Sequence, residues 1–307
     1  MGKIAFIFPG QGAQKCGMGK DFYENSETAK KIFDKASELM GFSMPKLCFE
    51  ENDRLDITEY TQAAMVTCSV AMLRVLEEMG VKADMTAGLS LGEYCALAAA
   101  GVMSNEDAIA TVRQRGIFMQ EAVPVGEGAM AAILGLDGDA VEAVAQTIPE
   151  VWVANYNCPG QIVISGKKEA VETACEQLKA AGAKRAVPLN VSGPFHSGLL
   201  VGAGEKLGKV LENVSVNEPV IPYVANVTAS FVEHADEVKE LLTRQVSSSV
   251  RWQQSVEAMI AAGVDTFVEI GPGKTLAGFM RKIDRSVKTI NVETLEDARN
   301  AAKAILG

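Results

Sequence analysis

The spacing of apolar and polar positions changes several times along this 307-residue chain. Lys3–Phe8 is a nearly unbroken apolar run closed by Pro9-Gly10, which predicts a buried strand. Helices are predicted over Glu27–Met40 and over the longer run Glu59–Met79. Within the second, Ala63–Leu73 is apolar around most of the helical circumference, as in a central, buried helix. A short strand at Met85–Gly88 follows, then a tight turn at Leu89-Ser90-Leu91 and a helix through Gly92–Ala100. Ser104 is placed to cap the next helix, Asn105–Glu121.

From Gly128 to Val191 the pattern shortens. Strands are predicted at Ala129–Leu134, Val151–Tyr156, Gln161–Ser165 and Arg185–Val191, with helices at Gly138–Thr147 and Lys168–Ala181. That order is βαββαβ, the ferredoxin-like split unit, which can bury a core of its own. Residues 126–191 are therefore expected to form an inserted small domain, with 1–125 and 192–307 making one larger unit. Helices at Leu199–Leu211, Glu237–Val246, Gln253–Ala262 and Leu276–Ile283, with a strand at Thr266–Ile270, complete it. Alternating strands and helices predict an α/β fold with a mostly parallel sheet. No repeat of 20–50 residues and no low-complexity tract interrupts the pattern.

Hydrophobic residues make up 48% of the chain and charged residues 22%, which excludes disorder as the default. The net charge of −10 argues against nucleic acid or an anionic membrane as a partner. Six cysteines (Cys16, Cys48, Cys68, Cys95, Cys158 and Cys175) include no C-x-x-C pair. They are expected as buried thiols in a reducing compartment, not as a disulfide framework or a zinc site. The opening run is too short for a signal sequence, and no stretch approaches the ~20 apolar residues of a membrane span. A cytoplasmic protein is expected.

Gly88-Leu89-Ser90-Leu91-Gly92 is a G-x-S-x-G motif between a strand and a helix. That context suits a nucleophile elbow, in which small residues let the chain turn and push the serine hydroxyl out of the sheet. The Leu91 amide would then face an oxyanion at the positive end of the helix. A capped strand–helix turn without chemistry fits the same five residues. Serine needs a base, and the chain has two histidines. His234 lies in a polar stretch and reads as a surface residue. His196 lies in Ser192-Gly193-Pro194-Phe195-His196-Ser197-Gly198, a turn of small residues after a strand, where loops hold catalytic groups. A second glycine-rich turn, Pro9–Gln14, offers backbone amides for an oxyanion. Its spacing fits neither a dinucleotide nor a Walker site, and Gly271-Pro272-Gly273-Lys274 lacks the upstream glycine.

Phe8–Gln14, Gly88–Glu93, Arg115-Gly116, Gly193–Ser197 and Glu269–Gly273 occur together and in this order. The chain resembles the malonyl-CoA:acyl carrier protein transacylases over essentially its whole length. The resemblance implies an α/β-hydrolase-like large domain with a ferredoxin-like insertion. It also implies transfer of malonyl from malonyl-CoA to acyl carrier protein in fatty-acid synthesis, with no cofactor or metal. By this resemblance Ser90 is the nucleophile, His196 its base, Gln245 the residue that orients the histidine, and the Gln11 and Leu91 amides the oxyanion hole. Arg115 is the partner of the malonyl carboxylate, a role that suits a planar guanidinium, whereas Arg113 reads as a surface arginine. Phe195 matches a bulky residue that would crowd an α-methyl branch. Leu89 stands where the family usually has His, and Pro194 where it usually has Ala. Lys274, Arg281, Lys282, Arg285 and Lys288 are a candidate surface for an acidic carrier, or an ordinary solvated face. The alternatives are a serine esterase or thioesterase, which would place an acid between Ser and His in the chain, and a non-catalytic carrier-binding module. Asp137 and Asp139 are poorly placed for that acid.

Overall fold

In the computed structural model, which describes residues 2–307, ten strands among the described residues form two sheets. β1 (Lys3–Phe8) and β2 (Met85–Gly88) belong to the larger sheet. β3 (Gly128–Leu134), β4 (Val151–Cys158), β5 (Gln161–Lys167) and β6 (Arg185–Pro188) make the smaller one. β7 (Tyr223–Val224), β8 (Phe231–Val232), β9 (Val264–Ile270) and β10 (Lys288–Val292) return to the first. The larger sheet runs β10-β9-β1-β2-β7-β8, parallel throughout except for the β7–β8 pair.

β1 sits inside this sheet, and its side chains alternate between two cores. Phe6 and Phe8 enter one with Val268, Ile270 and the helix Thr58–Glu78; Ala5 and Ile7 enter the other with Phe267, Trp252 and Leu276. Burial on both faces is why the strand reads as continuous apolar sequence. The helix Thr58–Glu78 is buried from Thr61 through Leu73, which accounts for its weak amphipathicity.

The smaller sheet runs β4-β5-β3-β6, all antiparallel. Ala131, Ile133, Ile162 and Ile164 pack under helices Gly138–Ala145 and Lys168–Ala180. Met130, Ala132, Ala154 and Val163, on the opposite face, join the main core. The smaller sheet is also tied by backbone to the loop before helix Trp252–Ala261: Tyr156 N–H donates to the Val250 carbonyl (2.9 Å) and Val250 N–H to the Ala154 carbonyl (2.8 Å).

Several expectations are corrected. The strand expected to reach Val191 stops at Pro188; the register with β3 covers Arg185–Pro188, and after one further bond from Leu189 N–H to the Met130 carbonyl (2.9 Å) the chain leaves the sheet. The helix expected from Leu199 starts at Val201, after a 3₁₀ turn at Gly198–Leu200. Helices Lys20–Asn25, Met44–Phe49 and Leu295–Leu306 and strands β7, β8 and β10 were not expected from the pattern. Five of them are six residues or shorter, too short for a period to show, and β10 is in addition a half-buried edge. Of the six free thiols, Cys16 is exposed in the turn before Lys20–Asn25 and Cys175 is half-buried on an outer helix; the other four are buried. No helix among the described residues is long and apolar enough to cross a membrane.

Candidate active site

The G-x-S-x-G turn is shaped by close backbone approach. A Cβ on Gly92 would overlap the Phe8 carbonyl, and one on Gly88 would overlap the Gly92 backbone. Between them Ser90 takes a left-handed conformation (φ 51°) at the mouth of helix Gly92–Ala99. A side-chain-bearing residue costs about 1–2 kcal/mol there, so surrounding contacts must impose the geometry. Asn226 supplies them: its Oδ1 accepts from Ser90 N–H (2.6 Å) and its Nδ2 donates to the Gly88 carbonyl (2.7 Å).

His196 lies in the loop between β6 and the Gly198–Leu200 turn, also left-handed (φ 57°). Only four non-glycine residues among those described have positive φ, and Ser90 and His196 are two of them. Their side chains meet, with Ser90 Oγ donating to His196 Nε2 at 2.7 Å. On the other side of the ring, Nδ1–H donates to the Gln245 backbone carbonyl at 2.8 Å. That bond leaves Nε2 as the free acceptor. Burial holds the His196 pKa down to about 4, aided by the positive charge of Arg115 and opposed by the carbonyls of Gln245 and Ser248. The pair can therefore move the Ser90 proton to a neutral imidazole.

Arg115, 1% exposed, reaches the same hydroxyl. Its NH2 donates to Ser90 Oγ (3.2 Å) and to Gln245 Oε1 (3.0 Å), and its NH1 donates to Gln62 Oε1 (2.9 Å). Its Nε has no partner among the described residues, and neither does the guanidinium have a carboxylate in ion-pair contact. Burial lowers its pKa. A buried cation without a paired anion is costly, by several kcal/mol, and marks a place where an anionic ligand is favoured.

Two backbone amides complete the centre. Ser90 N–H is taken by Asn226, but Leu91 N–H and Gln11 N–H have no acceptor among the described residues. The Gln11 side chain is held by Thr58 Oγ1 (3.2 Å) and faces Gln62. All of this opens onto a cleft of about 820 Å³ between the two sheets, lined by the Gly10–Gln14 turn, Ser90, Arg115, Phe195 and His196.

The chain matches the profile of the acyl transferase domain over residues 5–301. The chain belongs to the acyl transferase family. Among the family's proteins it is 50% identical to the malonyl CoA-acyl carrier protein transacylase of Bacillus subtilis over 311 aligned positions, 99% of this chain and 98% of that one. It superposes on the crystal structure of the transacylase of that name from Clostridium perfringens with a TM-score of 0.96, at 43% identity over 99% and 97% of the two chains. A malonyl-transacylase solved in complex with its type II PKS acyl-carrier protein gives a TM-score of 0.95 at 40% identity, covering 98% and 99%.

Within this acyl transferase the seven residues singled out in the sequence, Gln11, Ser90, Leu91, Arg115, Phe195, His196 and Gln245, converge on one end of the larger sheet. Gln245 meets the imidazole with its backbone carbonyl, while its side chain turns to Arg115 and Glu93, because a side chain on helix Ala235–Gln245 points away from the helix end that carries the free carbonyl. A separate reading, of Arg113 as a surface arginine, needs correction. Arg113 is half-buried, pairing with Glu59 at 2.6 Å and stacking over Tyr60, so it is committed to packing. Leu89 lines the cleft, and Pro194 packs on Gly128 where the smaller sheet joins. Asp137 caps helix Gly138–Ala145 by accepting from Ala140 N–H and lies outside the cleft lining. His234 is exposed.

Sequence reasoning passed over Asn226, Gln62 and the buried carboxylate of Glu93. A signal existed for each: a polar residue inside an otherwise apolar run (Ala225-Asn226-Val227, Gln62-Ala63-Ala64, Gly92-Glu93-Tyr94-Cys95). Buried polar groups of that kind have partners to find.

Proposed function

We propose that the chain transfers a malonyl group from malonyl-CoA to the phosphopantetheine thiol of acyl carrier protein through an ester on Ser90, supplying fatty-acid synthesis in the cytoplasm. The observation that carries this reading is the 2.7 Å Ser90–His196 contact beside an unpaired, buried guanidinium 3.2 Å from the same hydroxyl.

His196 Nε2 takes the Ser90 proton as Oγ attacks the thioester carbonyl. The oxyanion is received by the Leu91 and Gln11 amides, whose free N–H groups need no rearrangement to bind it. The C–S bond breaks, and the proton on His196 leaves with the CoA thiolate. In the second half, the carrier thiol gives its proton to His196 and attacks the Ser90 ester, and Ser90 recovers its proton. Arg115 pairs with the free malonyl carboxylate, restoring a counter-charge to a buried cation. Phe195, 7% exposed and facing the cleft, narrows the space beside the acyl carbon. No step calls on a metal or a redox group.

The antiparallel β4-β5-β3-β6 order supports reading residues 126–191 as a ferredoxin-like insertion in a hydrolase-like domain made of 1–125 and 192–307. Lys274, Arg281, Lys282, Arg285 and Lys288 are exposed along and beyond helix Thr275–Ile283, whose Thr275, Leu276 and Phe279 line the cleft. Local positive charge there suits an acidic carrier despite the net charge of −10.

Intact-protein mass spectrometry tests the reading directly. Brief incubation with malonyl-CoA should add one malonyl group, and phosphopantetheinylated carrier protein should remove it. Ser90→Ala should stay unlabelled; a normal transfer rate in that variant would overturn the scheme.

A further inference from the structure

We propose that Glu93 is a positioning residue, which through the Gln245 side-chain amide aims Arg115 at the acyl group and so sets the preference for acyl groups ending in a carboxylate. The inference deepens the malonyl-transfer reading and rests on it.

Glu93 is 1% exposed and stands in the first turn of helix Gly92–Ala99, three residues from the nucleophile candidate. Its Oε2 accepts from Gln245 Nε2 at 2.7 Å and from Asn226 N–H at 3.2 Å. The same Gln245 Nε2 donates to the Ser90 carbonyl at 2.9 Å, and Gln245 Oε1 accepts from Arg115 NH2 at 3.0 Å. The amide of Gln245 thus lies between a buried carboxylate and a buried guanidinium, its donor end on the anion and its acceptor end on the cation.

That arrangement has one stable orientation. Turning the amide over would set NH₂ against the guanidinium and C=O against the carboxylate, exchanging two favourable contacts for two repulsive ones. Hydrogen bonds to charged groups are stronger than those between neutral ones, so the preference is strong. Glu93 fixes the amide, and the amide fixes one edge of the guanidinium while Gln62 fixes another. Glu93 also acts on Arg115 through space without forming an ion pair with it. A direct pair would occupy the guanidinium; a relay through a neutral amide orients it and leaves it able to meet a substrate carboxylate. Arg115 also donates to Ser90 Oγ, a contact common to both thioesters, but its pairing with a free carboxylate is made by malonyl alone, so loss of this support should harm malonyl more than acetyl. Loss of the Ser90–His196 geometry would harm both equally.

The test compares Ser90 acylation rates with malonyl-CoA and acetyl-CoA in Glu93→Ala, Glu93→Gln and Gln245→Met. Glu93→Gln keeps an acceptor oxygen for Gln245 and should hold the malonyl-to-acetyl ratio close to wild type. Glu93→Ala and Gln245→Met should each lower that ratio roughly tenfold, and the double variant should lower it no further, since both act through one contact. An equal fall for both thioesters in the single variants would overturn the proposal, as would Glu93→Gln behaving like Glu93→Ala. If Glu93→Ala does not fold, Gln245→Met decides, because an unchanged ratio there removes the relay. A wild-type chain that takes up no malonyl group would instead overturn the function itself, and this inference with it.

Discussion

At the scale of single residues, the site is governed by what burial does to charge. His196 is buried beside Arg115, and its pKa is pushed from 6.5 to about 4. Its folded pKa lies below its unfolded one, so the unfolded chain binds the extra proton between those values. Stability is therefore lost as pH falls from about 6.5 towards 4. Over the same range the folded enzyme keeps a neutral base. Glu93 moves the other way, raised to about 7 by burial, yet a protonated carboxyl still has an oxygen to accept from Gln245. The acid limb of single-turnover acylation of Ser90 is accordingly expected near pH 4, far below an ordinary histidine. A limb centred at 6.5 would place His196 in a wetter setting than its 4% exposure allows.

At the scale of elements, the nucleophile candidate depends on how near one strand–helix turn can come to its neighbour. Gly92 abuts the carbonyls of Phe8 and Pro9, so the β1 loop and the helix Gly92–Ala99 share a boundary with no room for a methyl group. Gly92→Ala should cost about 2–3 kcal/mol by overpacking against rigid backbone and should displace the free amides of Leu91 and Gln11. Thermal melting together with Ser90 labelling checks this: a variant that melts and labels like wild type would mean the turn can relax. This turn was legible in the sequence because its chemistry is local. Gly88, Ser90 and Gly92 announce it within five residues, and β2 and the helix flank it as expected. The loop after β6 was less legible, since the strand leaves its partner at Ala131 although β3 runs on to Gly128, a divergence set by another part of the chain.

For the whole molecule, the cleft exists because two sheets face one another. Asn155 and Asn157 of β4 and Met130 and Ala132 of β3 form one wall, and the β1 and β2 turns form the other. The backbone exchange at Val250 ties the first wall to the loop before helix Trp252–Ala261. Val250→Pro would delete one of its two hydrogen bonds, contributing about 0.5–1.5 kcal/mol, and would lower the melting temperature by about 1–2 °C for a chain of this size. The KM for malonyl-CoA should rise with it while Ser90 remains reactive towards small acylating agents. An unchanged KM would show that the smaller sheet is held by its apolar face alone.

The sequence by itself determined the α/β alternation, the βαββαβ order and the two turns that carry Ser90 and His196, because hydrophobic period and turn chemistry act over a few residues. Only the folded chain decided which groups meet. The separations of 106 positions from Ser90 to His196, 155 from Ser90 to Gln245 and 152 from Glu93 to Gln245 are closed by sheet packing that no local pattern encodes. It also decided that the oxygen facing the imidazole is the backbone carbonyl of Gln245 and that Arg115 is left buried without a counter-ion. Charge, burial and hydrogen-bond direction are properties of a three-dimensional neighbourhood, and that neighbourhood is drawn from seven separate stretches of the chain, around Gln11, Gln62, Ser90, Arg115, His196, Asn226 and Gln245.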